Sequence, residues 1–219
     1  MIEQKWKDRW YSAWTPVLKM NLYRHRLTAP KSNGDMFANL GCGKSQFDGW
    51  VNIDGNFMHH PNMWLDVRYG LPFRDESVKV IYSCHFFEHL YLDELKGLLA
   101  ECRRVLRPDG GIRVAVPNLQ SAIIAYEQRR KDWFSGFPAS FKSLGGQFFN
   151  EMLCGDQHRL MFDHDFLAEV LTDAGFSTVY EVSRAESHLL PEGHEVLKRE
   201  LESYDGKTPD PWLIGEALP

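Results

Sequence analysis

The sequence has little that would direct the chain to a membrane or to an oxidising compartment. None of its apolar runs approaches the roughly 18–20 residues that a bilayer span requires. The first residues, MIEQKW, lack the apolar segment of a secretory signal. The four cysteines lie far apart and form no C-x-x-C pair, which argues against a zinc ribbon or a disulfide framework. We therefore expect a reducing, cytoplasmic location.

The chain also lacks an excess of positive charge. It carries 25 Lys and Arg residues against 30 Asp and Glu residues, a formal net charge of −5. Proteins that bind nucleic acids mainly through phosphates need the opposite balance, because counterion release supplies much of their affinity. A hydrophobic fraction of 43% is ordinary for a globular protein. The composition thus favours neither a nucleic-acid partner nor disorder.

The 219 residues are enough for one domain with an appendage. Residues 1–35 are predicted to form a basic, aromatic arm, in which Trp6 and Trp10 lie one helical turn apart and Pro16 interrupts the helix. This arm could cover a ligand crevice, lie on an anionic membrane surface or contact another subunit. Residues 28–35 read as a turn-rich linker to the main domain, residues 36–219.

Strand and helix patterns alternate through the main domain. Strands are predicted at residues 36–40, 50–54, 63–67, 77–83, 112–116 and 178–182, and helices at 93–107 and 163–174. This alternation favours an α/β fold, a mostly parallel sheet flanked by helices. No last strand is evident after residue 183. Residues 204–219 are predicted to be a surface tail, although Trp212, Leu213 and Ile214 could contact a partner.

Residues 118–157 interrupt the alternation. This segment is rich in aromatic residues and glycine, and it follows directly on a predicted strand that Pro117 closes. We interpret it as an insertion that packs over the carboxyl edge of the sheet like a lid.

The first turn of the main domain carries the strongest sign of a ligand. A short strand ends in Leu40-Gly41-Cys42-Gly43, and the next strand ends in Asp54. Glycines let a ligand approach the backbone closely, and such a turn lies at the carboxyl edge of a parallel sheet, where ligands bind. An acid at the end of the next strand can accept hydrogen bonds from both ribose hydroxyls. The pattern predicts an adenosine-type ligand.

Two missing glycines narrow the choice of ligand. Gln46 occupies the position of the third glycine in a dinucleotide fingerprint, which disfavours NAD, FAD and an oxidoreductase. Ala38 stands where a phosphate-binding P-loop has its first glycine. His59 and His60 precede Pro61 without further ligands at metal-binding spacing, so no metal site is predicted.

Several ordered motifs add a family resemblance. They are LGCG at residues 40–43, NID at 52–54, LPFRDES at 71–77, FEHL at 87–90 and ECRRVLRPDGG at 101–111. Together they resemble class I S-adenosylmethionine-dependent methyltransferases. The most similar branch is the type 11-like group, which often accompanies bacterial glycan or cell-envelope biosynthesis. The resemblance implies a Rossmann-like fold with a seven-stranded sheet, one strand of which is antiparallel.

The resemblance also implies roles for individual residues toward S-adenosylmethionine. Gly41, Cys42 and Gly43 would carry the methionine portion, and Asp54 would hold the ribose hydroxyls. The residues implied beside the ribose are Ile53 and Gly55. For the adenine, Asp66 would accept its amino group while Leu65 and Val67 enclose the ring. At the end of the fourth strand, Ser83, Cys84 and His85 would face the reactive methyl group.

A hydroxyl acceptor usually needs a general base as well. His85 is the first candidate, because the end of its strand points into the crevice. His158 is the second, since the insertion returns toward the same edge there. Histidine titrates near pH ~6.5, which suits proton transfer at neutral pH.

The sequence therefore predicts a methyltransferase for a small-molecule or glycan-type acceptor, methylated on oxygen. The alternative is a non-catalytic protein of the same fold that retains the nucleoside pocket. A nucleic-acid acceptor is disfavoured, because residues 83–86 read SCHF rather than an Asn-Pro-Pro-Tyr-type motif.

Overall fold

The computed structural model describes residues 4–28 and 35–219, and its strands form one sheet. The strands are β1 Phe37–Leu40, β2 Val51–Asp54, β3 Met63–Trp64, β4 Val78–Cys84, β5 Leu106–Pro117, β6 Thr178–Glu181 and β7 Trp212–Leu218. The helices are α1 Gln4–Thr28, α2 Leu92–Val105, α3 Leu119–Glu127, α4 Leu144–Leu153, α5 His164–Asp173 and α6 Glu195–Glu202. Short 3-10 turns follow β2, β3 and β4 at Phe57–His59, Val67–Tyr69 and Phe87–His89.

The sheet order is β3-β2-β1-β4-β5-β7-β6, with β1 to β5 parallel and β7 antiparallel to both of its neighbours. This confirms the predicted α/β architecture, a mostly parallel sheet flanked by helices. The main apolar core joins one face of the sheet to α2 and α5 through side chains such as Leu98 and Leu167. A smaller cluster on α6 and the loop after β1, including Val196 and Phe47, packs with Val80 and Tyr82 of β4.

The prediction of a surface tail at residues 204–219 was wrong for the segment that forms the seventh strand. Residues 212–218 lie inside the sheet between β5 and β6, rather than forming part of a surface tail. Leu213, Ile214 and Ala217 are buried. Glu216 is also fully buried and stands opposite Arg113 of β5, whose Nη1 donates to its carboxylate over 2.7 Å. Glu200 of α6 accepts two more bonds from the same guanidinium, which fixes α6 to the sheet.

The N-terminal helix corrects another expectation, because α1 continues through Pro16 instead of stopping there. Ser12, four residues earlier, is exposed like Pro16, so water can satisfy the carbonyl that a proline leaves unpaired. Leu18 and Leu22 are buried. The Asn21 side chain donates to the Trp64 carbonyl, which holds α1 against the edge strand β3. The Trp6 and Trp10 side chains and residues 29–34 lie outside the described part of the chain.

The insertion at residues 118–157 contains α3 and α4 and has its own apolar cluster. Trp133, Phe134 and Met152 form its centre with two alanines of α3. The Trp133 indole donates to the Pro209 carbonyl just before β7, over 2.8 Å. Since α3 begins two residues after β5 ends, the insertion starts at the carboxyl edge of the sheet.

Candidate functional site

The candidate site lies where β1, β2 and β4 end side by side. Leu40, the last residue of β1, pairs with Ile53 of β2 and with Ser83 of β4. The glycine turn after β1, Asp54 and the loop after β4 therefore meet at one edge, as the sequence predicted for a parallel sheet.

Asp54 is tied directly to the glycine turn. Its Oδ2 accepts the Gly43 amide over 2.7 Å, and its Oδ1 accepts the Asn56 amide over 2.6 Å. Gly43 has a φ of +51°, and a Cβ added there would meet no atom within 4 Å. The backbone at Gly43 is thus open to a ligand, and the Asp54 carboxylate stands beside it.

Gly41 is not open in the same way. Its φ is +65°, and an added Cβ would lie 2.4 Å from Cγ of Phe86. Phe86 belongs to the loop after β4, so the missing side chain makes room for this ring. A ligand could approach Gly41 from this side only after Phe86 moves.

A buried amide network shapes the loop behind the glycine turn, and sequence reasoning missed it. Asn52 on β2 accepts from Asn39 on β1 over 3.0 Å and from the Phe47 amide over 3.1 Å. The Asn39 side chain also donates to the Ser45 carbonyl. The only sequence signal is an asparagine inside each apolar strand, which requires polar partners once it is buried.

Several residues predicted to line the cofactor are buried or already hold a bond within the protein. Leu65, Val67 and Ile53 belong to the main core. Ser83 is buried, and its hydroxyl donates to the Leu40 carbonyl over 3.3 Å. Gly55 has its carbonyl occupied by the Trp64 indole. Contacts of these residues with a cofactor remain predictions.

Asp66 already has a strong partner. Its carboxylate forms a two-pronged ion pair with the Arg68 guanidinium, at distances from 2.6 to 3.0 Å, and also accepts the Arg68 amide. Arg68 in turn reaches Glu94 of α2 at 3.0 Å. An adenine amino group at Asp66 would have to share this carboxylate with the guanidinium.

The two cysteines of the site are not nucleophiles at neutral pH. Burial and the nearby charge of Asp54 raise the pKa of the Cys42 thiol to about 12. Burial likewise raises the pKa of Cys84 to about 12. Both thiols therefore stay protonated and contribute to packing.

His85 and Glu88 form a pair in the loop after β4. The ring Nδ1 of His85 lies 3.2 Å from Glu88 Oε1, and the ring packs edge-on against Trp212 at 4.6 Å between centroids. Burial opposes the charge of Glu88, but the hydrogen bond from His85 and the neighbouring imidazoles keep its pKa below the usual range. The ionised carboxylate accepts the Nδ1 proton, so Nε2 of His85 keeps its lone pair.

His158 returns to this edge from the end of the insertion, as the sequence predicted. Its Nε2 lies 3.9 Å from Glu88 Oε1, and its Nδ1 donates to the Met152 carbonyl over 2.8 Å. The His158 side chain is only 8% exposed, and burial lowers its pKa. The His89 ring lies 4.9 Å from the His158 ring, with its Nδ1 on the Gln157 carbonyl.

Comparison with known proteins supports a methyltransferase architecture. Residues 62–114, from β3 into β5, match a family model described as a methyltransferase domain. No curated protein matches the chain by sequence. No helix within residues 4–28 and 35–219 is both long enough and apolar enough to cross a bilayer.

Solved structures give the fold. A SAM-dependent methyltransferase from Archaeoglobus fulgidus superposes with a TM-score of 0.54 at 16% identity, covering 92% of this chain and 94% of that one. An S-adenosylmethionine-dependent methyltransferase from Mesorhizobium loti superposes with a TM-score of 0.51 at 15% identity, covering 90% of this chain and 96% of that one. A third structure is phosphoethanolamine N-methyltransferase 2 of Haemonchus contortus in complex with S-adenosylhomocysteine. It superposes with a TM-score of 0.50 at 13% identity, and the match covers 91% of this chain but 52% of that one. This chain has the Rossmann-like fold of class I methyltransferases.

Proposed function

We propose that this chain binds S-adenosylmethionine at the carboxyl edge of β1, β2 and β4 and transfers its methyl group to an acceptor. The observation that carries the proposal is the Asp54 carboxylate, which accepts the Gly43 amide beside an open stretch of backbone. The match of residues 62–114 to a methyltransferase domain supports it.

The residues present fit the ribose end of this cofactor. A carboxylate can accept about four hydrogen bonds. The Gly43 and Asn56 amides use one on each oxygen of Asp54, which leaves acceptor capacity for two ribose hydroxyls. At the methionine end, Gly43 can be approached along the backbone, whereas Cys42 is buried and Phe86 covers the side of Gly41 on which a side chain would stand.

An oxygen acceptor is favoured by the His85–Glu88 pair. S-adenosylmethionine supplies the methyl group, whose bond to sulfur breaks as the bond to the acceptor oxygen forms, leaving S-adenosylhomocysteine. The acceptor hydroxyl must lose its proton, and Nε2 of His85 can take it because Glu88 holds the opposite ring nitrogen. His158, behind Glu88, would then act by supporting this arrangement.

The acceptor itself is proposed to be small and rich in hydroxyls, as a glycan is. A cavity of about 400 Å³ opens between the start of the insertion and β7. Its lining includes Ser121, Ser183, Asp210 and Trp212, and Trp212 also touches the His85 ring. The hydroxyl and aromatic groups suit a polar acceptor bound next to the proposed base, whereas both oxygens of Asp210 are already paired with Arg184, which also lines the cavity. The insertion would cover that acceptor.

The arm supplies a second proposed contact, with an anionic membrane surface. One face of α1 packs on β3. Another face carries three apolar side chains that are 63–68% exposed: Met20, Tyr23 and Leu27. They follow helical spacing, and Arg24 beside them is exposed as well. Exposed apolar side chains flanked by positive charge are typical of helices that lie in a membrane interface.

Calorimetry with S-adenosylhomocysteine tests the main proposal. Each charge-assisted hydrogen bond contributes about 1.5–3 kcal/mol, so Asp54→Ala, which removes two, is expected to weaken binding at least about 100-fold. Asp48→Ala is the matched control, because Asp48 is an exposed acid of the same region. Absence of binding by the wild type, or equal binding by Asp54→Ala, would refute the proposal.

Transfer is then tested with labelled S-adenosylmethionine and a panel of nucleotide sugars, glycans and lipids. Methylation of a hydroxyl would be supported if the labelled product survives conditions that hydrolyse esters and if His85→Ala does not form it. Tight cofactor binding without transfer to any member of the panel would favour the non-catalytic alternative.

A further inference from the structure

We propose that Glu88, His89 and His158 bind a divalent transition-metal ion such as Zn²⁺ at the inner wall of the candidate site. Each of the three residues offers a ligand atom, and these atoms lie within 4.8 Å of one another. The inference does not depend on methyl transfer, because it rests on these side chains alone.

The orientation of the two imidazoles supports the proposal. His89 directs its Nδ1 to the Gln157 carbonyl at 3.1 Å, and His158 directs its Nδ1 to the Met152 carbonyl at 2.8 Å. A carbonyl only accepts, so each Nδ1 carries the proton and each Nε2 keeps its lone pair. Metal-binding histidines show this arrangement, in which the second nitrogen is held by an outer acceptor.

The carboxylate of Glu88 supplies the second observation. Glu88 is completely buried, and its Oε2 has no hydrogen-bond partner. A carboxylate oxygen without a partner in the interior is costly, and buried carboxylates are normally paired or bound to a metal. His85 occupies Oε1, which leaves Oε2 available for an ion.

The donor set selects the class of ion. Two imidazole nitrogens and one carboxylate suit Zn²⁺ or Co²⁺, whereas Mg²⁺, Ca²⁺ and Mn²⁺ prefer oxygen ligands. Bonds of about 2.0–2.1 Å place tetrahedral ligands roughly 3.4 Å apart, so binding would draw the three ligand atoms, now within 4.8 Å of one another, closer together. Three protein ligands leave one position for water or an acceptor oxygen beside His85.

Equilibrium dialysis of the full chain against Zn²⁺ tests this, with bound metal measured by atomic emission. We expect one ion per chain, and an affinity at least about 100-fold lower in His89→Ala and in His158→Ala, because each variant removes one ligand. His164→Gln is the control, since His164 is a half-exposed histidine outside the cluster, with its ring Nδ1 3.7 Å from Asp165. Circular dichroism verifies that each variant is folded.

Cobalt provides a readout that does not depend on the variants. Co²⁺ bound by nitrogen and carboxylate in a four-coordinate site gives strong visible absorption, and Zn²⁺ should displace it. Failure of the wild type to retain Zn²⁺, or loss of binding in His164→Gln equal to that in His158→Ala, would overturn the proposal. Cofactor calorimetry on metal-free protein separates this result from the test of methyl-donor binding.

Discussion

The close contact between Gly41 and Phe86 predicts a specific loss of stability. Gly41→Ala places a side chain in a left-handed conformation, which costs about 1–2 kcal/mol. Its Cβ would also lie 2.4 Å from Phe86 Cγ and 2.7 Å from Phe86 Cβ, a conflict of the kind that costs about 1–3 kcal/mol. The expected loss in the free energy of unfolding is therefore about 2–5 kcal/mol.

Two further variants separate the backbone cost from the steric cost. Gly49 has a φ of +76°, and nothing lies within 4 Å of an added Cβ, so Gly49→Ala should show the backbone cost alone. Phe86→Gly removes the three atoms nearest to the new Cβ, whereas Phe86→Ala would leave the Phe86 Cβ position occupied at 2.7 Å. Gly41→Ala should therefore be less harmful in a Phe86→Gly background.

Urea unfolding of the four proteins in this double-mutant cycle measures the coupling directly, provided that the m-values agree. We expect a coupling of about 1–3 kcal/mol, equal to the steric part of the cost. If Gly41→Ala is no more destabilising than Gly49→Ala, or if the coupling is zero, Phe86 is not what excludes a side chain at position 41.

Two other predictions concern the buried network and the arm. Arg113→Met leaves Glu200 and Glu216 buried without their cation, so it should lower the free energy of unfolding by about 3–5 kcal/mol in a urea titration, and a loss below about 1 kcal/mol would contradict this. In co-sedimentation with vesicles, the wild type should bind phosphatidylserine but not phosphatidylcholine, and Tyr23→Ser with Leu27→Ser should abolish most of that binding. Equal sedimentation with both lipids, or none, would count against a membrane-facing arm.

The parallel strands could be predicted from the sequence because each combines a short apolar run with a turn. The seventh strand could not, since WLIGEAL places a glycine and a glutamate among its apolar residues. Glu216 fits the interior because Arg113 stands opposite it on β5 and because Ser187 and the His188 amide also donate to its carboxylate, and these partners are remote in sequence. The helix break predicted at Pro16 was wrong for a related reason. The local propensity of proline predicts a break, but the packing of α1 on β3 favours one continuous helix.

The same limit applies to the site. Asp54 and the glycine turn were predictable, because the carboxyl ends of adjacent parallel strands must meet. Arg68 pairs with Asp66, and Phe86 fills the space over Gly41. Both contacts depend on side-chain packing, which cannot be predicted from the spacing of residues in the sequence. The histidine and glutamate cluster escaped notice for a related reason, since the insertion separates His158 from His89 in the sequence.

The way the insertion is attached limits how it could open over an acceptor. The amides of Arg159 and Leu160 both donate to the Glu88 carbonyl, and His89 reaches the Gln157 carbonyl from the same loop. The C-terminal end of the insertion is thus fixed to the loop after β4, and the N-terminal end follows directly on β5. Any opening of the proposed lid must therefore occur between these anchors, in residues 134–143 and the start of α4, because the Trp133 indole is bonded to the Pro209 carbonyl and the Met152 carbonyl is bonded to His158.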